Sequence, residues 1–298
     1  ESIHGATITI DSGASVRLSG KLAADTTLDI DADSLLQLKG NIPASGGTTT
    51  PIETYLTAAN IDLHAGENLT LDDTARVTAS AASGTAITLD SSRDMTLGGD
   101  VTAEDSAVID INADRNIALS GRITAGNITL DAGDGVSQDG GITGDSDVYL
   151  KATTGDLSLT TGLYGGSIVL NGSTLEAVAA GHKVDLNAAG GYILQVAQTL
   201  NDNSVTASQA SGRITADLLE ADADNGMTLN ANVKFVDLEL SEAGNIQLTN
   251  QQSLDLTHVV TADGAIDVTV FGNLVVTDVR TLGSSDRNDV SLTTHDLT

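Results

Sequence analysis

Cysteine is absent, so the chain has no disulfide scaffold, no thiolate nucleophile and no thiolate metal site. Tryptophan is absent too, and aromatic residues make up 2 % of the chain while apolar residues reach 40 %. The interior must therefore be built from Leu, Ile, Val and Ala, which suit a thin space between closely stacked strands better than large rings do. No apolar run approaches the ~18 residues of a membrane-spanning helix, so direct membrane insertion is not expected. Basic residues are scarce as well. The 13 Lys and Arg stand against 41 Asp and Glu, a formal net charge of -28. Such a field repels nucleic acid and anionic membrane surfaces, and neither is expected as a partner.

What the chain does have is a repeat. The stretch from Ile109 to Ala125 opens with an apolar-x-apolar-Asn step (Ile109, Ile111, Asn112) and follows it with a second step (Ile117, Leu119). Gly121 then punctuates, Ile123 and Ala125 close the turn, and Ile128 and Leu130 open the next one. Alternating apolar residues bounded by Gly, Asp or Asn mark short half-buried strands. The opening step recurs at Ile8, Leu28, Ile61, Ile87, Val148, Ile168, Val184, Met227, Ile246, Ile266 and Val290, with many intervals of about 20 residues. The second step lies eight residues after Ile8, Leu28, Ile61, Ile87, Ile109, Ile246 and Ile266. A third element, L-x-G-x-apolar-x-A, appears at Leu18 to Ala24, Leu38 to Ala44, Leu97 to Ala103 and Leu119 to Ala125.

Three short strands per turn of about 20 residues predict an all-β chain wound as a parallel β-helix, a solenoid that is right-handed by the rule for parallel crossovers. Residues 1–298 then form one continuous β-helix of roughly fifteen turns, a rod on the order of 70 Å long. The pattern is cut at both ends, so the chain is expected to be a piece of a longer polypeptide. Two breaks in the spacing predict loop insertions. One is near 43–56, where Pro43 to Tyr55 holds both prolines, and the other is near 200–212, the polar stretch from Leu200 to Gly212.

These turns resemble those of filamentous haemagglutinin-type exoproteins and large repetitive adhesins of bacterial surfaces. The segment from Leu119 through Gly121, Ile123, Ala125 and Asn127 to Leu130 is similar to the repeat of that family, and Gly133 to Ile142 is similar to its Gly-x-Val-x-Gln turns. The resemblance implies a secreted stalk or filament at the extracellular bacterial cell surface, with adhesion as the usual role. Its implied partners are other segments of the same long chain, laterally associated copies, or a glycan or protein receptor. No functional residue carries over, because the repeat positions of the family are structural.

The residues between the paired apolar positions should face outward, among them Thr9, Asp29, Asp62, Thr88, Asp110 and Thr129. A Thr- and Asp-rich surface reads first as a solvated sheet face. A flat Thr array also raises ice binding, but that needs regular Thr-x-Thr in consecutive turns, and among the repeated steps only Thr7 and Thr9 have that form. Glu220, Asp222 and Asp224, followed by Gly226, resemble the start of a calcium loop, with Gly one place late and no closing Glu. Weak surface calcium is the one metal expectation, and no cofactor is required.

Catalysis finds little support. The five His are scattered, and no metalloprotease, nucleophile-elbow or phosphate-loop motif occurs. Asp29, Asp62 and Asp110 are the carboxylates that adjacent turns would bring together for glycoside hydrolysis. The expected function is a non-enzymatic stalk segment. The alternative is an extracellular β-helix that binds or cleaves carbohydrate.

Overall fold

In the computed structural model, residues 2–40, 53–133, 140–163, 165–195, 212–283 and 288–295 are described. Among them lie 32 strands and no helix, joined into one parallel sheet. The chain winds as a parallel β-solenoid of about 11 turns, each of about 23 residues. The expected fold is therefore present with fewer, longer turns, and the rod is on the order of 50 Å long. The turns lengthen at their corners. Leu28 stacks on Ile61 and Ile128 on Leu157, both intervals well beyond the shortest repeat.

Three faces make up most turns. On the first, Leu28, Ile61, Ile87, Ile109 and Ile128 stack in register. On the second, Val16, Leu36, Leu69, Met95, Ile117 and Ile142 do so. On the third, the stack is Leu22, Leu56, Val77, Val101, Ile123 and Leu150. The turn that the sequence singled out supplies all three, through strands Ala107–Ala113, Ile117–Leu119 and Arg122–Ala125. Its predicted core residues Ile109, Ile111, Ile117, Leu119, Ile123, Ile128 and Leu130 are all inward, none more than 5 % exposed. Each such Leu or Ile contributes about 1.5–3 kcal/mol by leaving water. Among the described residues, one apolar cluster runs from Val16 to Val270.

Where two faces meet, the strand ends carry small residues. Ala32, Ala65, Ser91, Ala113 and Ala132 form one such column. Glycine solves the tightest corner. A Cβ on Gly121 would lie 2.0 Å from the Gly99 carbonyl oxygen, so no side chain fits there.

The recurring opening step proves not to be a single column. After Ile128 the first face continues through Leu157 and Val184. Val148 instead precedes the third-face strand Tyr149–Ala152, and Ile168, Met227, Ile246, Ile266 and Val290 all stack on the second face. Every face uses the same apolar-x-apolar step. Once a corner changes length, counting residues no longer identifies the face.

The first insertion also shifts. Thr54–Ala58 is a strand, and Leu56 is a buried third-face residue, so the first insertion ends before Thr54. Its remaining residues up to 52, and 200–211 of the second, lie outside the described residues. Beyond the second insertion the cross-section changes. Strand Met227–Asn232 pairs with both Ile193–Leu194 and Ile214–Thr215, merging the second and third faces. Buried amides serve this junction. Gln195 accepts from the Asn230 backbone N–H at 2.9 Å, and the Asn230 side chain donates to the Gly212 carbonyl at 2.9 Å.

Candidate functional site

The first face carries the charge. Its strands alternate inward aliphatics with outward polar residues, so the outward residues of successive turns line up at the rung spacing of about 4.8 Å. Asp29 and Asp62 are on adjacent rungs, Thr88 follows, and Asp110 comes next. In the neighbouring column Asp31, His64 and Asp90 succeed one another. Burial holds the Asp62 carboxyl above the ordinary carboxylate range, and repulsion from Asp29 and Asp90 adds to it while His64 opposes it. Thr88 separates Asp62 from Asp110, so the three candidate carboxylates form one adjacent pair and one outlier.

A second acidic stretch lies further along the same face. Asp185, Glu220 and Asp237 occupy successive rungs, with Asn187, Asp222 and Glu239 beside them. The Lys183 ammonium bridges Asp185 at 3.0 Å and also contacts Glu220, which raises its affinity for its proton. Burial pushes the Asp222 carboxyl up, reinforced by Glu239, Asp185 and Asp237.

The calcium candidates fall here. Glu220 and Asp222 face outward from strand Leu218–Ala223, while Asp224 follows its end and accepts from the Ser241 hydroxyl. Two residues along a strand span roughly 6.6 Å, so the backbone spreads these carboxylates where a loop would gather them. Among the described residues, no group of three or more His, Asp or Glu is arranged to hold a metal ion.

Four histidines, scattered in sequence, are organised in space. His4 meets Asp25 at 3.2 Å, His64 meets Asp90 at 3.1 Å, His182 meets Asp156 at 3.0 Å and His258 meets Asp278 at 3.0 Å. Each pair joins neighbouring turns. The arrangement reads as inter-turn ties, and sequence reasoning missed it because each partner lies a full turn away.

The third face differs in chemistry. Lys21, Tyr55, Arg76, Asp100, Arg122 and Tyr149 form one outward column. Lys21 sits 4.9 Å from the Tyr55 ring centre and Arg122 sits 4.8 Å from that of Tyr149. Burial and the hydrogen bond that Tyr149 donates to Glu176 at 2.6 Å push its hydroxyl up to about 12. Beside this column runs a ladder of Thr57, Thr78, Thr102 and Thr124. A Thr-x-Thr pattern along the chain does not reveal it, because its members lie on successive turns. With charged and aromatic side chains in the adjacent column, the face is not a uniform Thr array.

The second face holds a cleft lined by Tyr192, Asn225, Thr228, Asn245 and Gln247, residues that no motif links in the chain. Its members come from three turns. No helix among the described residues is long and apolar enough to cross a membrane. A scan of protein-family models, a search of curated proteins and a search of solved structures each find no match to this chain.

Proposed function

We propose that this chain is a non-catalytic stalk segment of a long extracellular protein of the bacterial surface, stiffened by its own backbone and presenting side-chain surfaces along its faces. The observation that carries this reading is the continuity of the ladders, in which parallel stacks run turn on turn over one aliphatic cluster, three of them before the second and third faces merge. Each turn is tied to the next by backbone hydrogen bonds, so a load along the axis is shared among several parallel strands. The inter-turn His–Asp and Arg–Asp pairs add lateral ties on the surface. Calcium, if bound, would be a weak surface ligand at Glu220, Asp222 and Asp224. Neither nucleic acid nor a lipid surface suits the acidic exterior.

The test is made on the native polypeptide in its source cells, with an antibody against this segment. A chain several times longer than this one, released from intact cells by surface proteolysis, is the expected result. A soluble intracellular chain of about 30.2 kDa would overturn the reading.

A further inference from the structure

The second-face cleft is made by one missing side chain. Tyr192, Gly226 and Asn245 succeed one another at the same corner, registered by backbone bonds from Ile193 N–H to the Gly226 carbonyl and from Met227 N–H to the Asn245 carbonyl. Gly226 has φ of 134°, a conformation that disfavours any residue with a Cβ, so the middle rung stays bare. Around it lies a cleft of about 300 Å³, open to solvent and lined by Tyr192, Asn225, Gly226, Thr228, Asn245 and Gln247. Two rungs span roughly 9.6 Å, and van der Waals contact takes about 3.5–4 Å on each side, which leaves the thickness of one ring.

The polar groups around this gap keep hydrogen-bonding capacity that no other described residue uses. Among the described residues, the hydroxyls of Tyr192 and Thr228 and the amide of Gln247 have no hydrogen-bond partner. Thr228 and Gln247 occupy successive rungs and face outward together. Asn245 uses its side-chain oxygen to accept from the Ala265 N–H at 2.9 Å, which leaves its NH2 group to donate. Asn225 donates to the Gly190 carbonyl at 3.2 Å, which leaves its oxygen to accept. Tyr192 is 45 % exposed and gives the site an aromatic wall.

The same lining fixes the class of ligand. None of these side chains is charged, although the chain carries 41 acidic residues. A cation would find no carboxylate in the cleft, and an anion would enter against the field of a net charge of -28. What fits is an uncharged ring with an apolar flank for the tyrosine and hydroxyls that both donate and accept. We propose that the cleft between Tyr192 and Asn245 binds a neutral saccharide, with one pyranose ring in the gap and the adjoining sugar along Thr228 and Gln247. This goes beyond the stalk reading by giving the rod a ligand and a place to hold it.

The test is a titration of the whole chain with neutral mono- and disaccharides of glucose, galactose, mannose and N-acetylglucosamine, alongside glucuronic acid. Saturation-transfer NMR detects binding and calorimetry measures it. At least one neutral sugar should bind in the millimolar range, and glucuronic acid should not. Tyr192→Ala should weaken that binding by about tenfold and Gln247→Ala by several-fold, both with unchanged thermal unfolding. Tyr192→Phe keeps the ring and should retain most of the affinity. Silence from every neutral sugar at about 20 mM, or an undiminished affinity in both alanine variants, would overturn the proposal. Either result leaves the stalk reading to its own test, which depends on chain length and location.

Discussion

Arg115 reaches back one turn and grips the carboxylate of Asp94 with two donors, its Nε at 3.1 Å from Oδ1 and its Nη2 on Oδ2. Asn116 adds a third bond to the same group at 3.0 Å. Burial alone would raise the Asp94 pKa, but these hydrogen bonds outweigh it and hold the carboxyl below its usual range. A depressed carboxylate stabilises the fold above its unfolded pKa of about 3.9, and that contribution is lost as pH falls through the lower folded value. Arg115→Met should therefore lower the melting temperature slightly at pH 7 and flatten its acid limb. The pair is partly exposed, so the loss should be small. Parallel acid melts of the parent and variant would contradict the assignment.

Ser91 stands in a corner column where its neighbours are Ala65 and Ala113, and its buried hydroxyl has no partner among the described residues. Removing the oxygen removes an unsatisfied group and leaves the packing as it is next door. Ser91→Ala should stabilise by about 1 kcal/mol in urea unfolding. A loss of stability would mean that the hydroxyl has a partner in solution.

Asn250 is wholly buried and holds both the N–H and the carbonyl of Val233, at 2.9 and 3.0 Å, as well as the Gln252 carbonyl at 2.8 Å. Asn250→Ala strands all three backbone groups. The expected cost is about 2–4 kcal/mol, with retention of a β-type circular dichroism spectrum at low temperature. A cost below about 1 kcal/mol would show that water replaces the amide.

Gly121→Ala forces a Cβ to within 2.0 Å of the Gly99 carbonyl oxygen, a backbone atom that cannot swing aside. The corner must open, at a cost of about 1–3 kcal/mol or more. A variant that melts with the parent would place the corner glycines differently.

Asp62 is raised by burial and by its acidic neighbours, so the sign is opposite to that of Asp94. An ionised Asp62 costs stability at neutral pH, and protonation as pH falls through its raised folded pKa recovers it. Asp62→Asn should raise the melting temperature at pH 7 and lose that advantage in acid. Added salt should stabilise the parent more than the variant, because the Debye length of about 10 Å at 0.1 M screens the repulsion between rungs. Equal salt responses would remove the acidic column as a source of strain.

Much of the fold was legible one strand at a time. Ile109, Ile111, Ile117, Leu119 and Ile123 were identified as inward from alternation alone, because a buried strand face demands it. The offset of eight residues from Ile61 to Leu69 and from Ile87 to Met95 marks the step from first face to second. After Ile128 the same spacing misleads, since Ile246 belongs to the second face. The two prolines near Tyr55 point to a loop, yet Tyr55 pairs with Lys21 and Arg76 in the third-face ladder.

The sequence by itself determined that this chain is a parallel β-solenoid with an aliphatic interior and an acidic exterior. Those properties depend on residue type and on local alternation, which a linear pattern carries completely. Only the tertiary structure decided which residues meet across turns, such as Arg115 with Asp94 and His64 with Asp90, and which stand two rungs apart, as Tyr192 and Asn245 do on either side of Gly226. Each meeting depends on the summed length of the corners between its partners, and one extra corner residue moves every later side chain to a different rung or face.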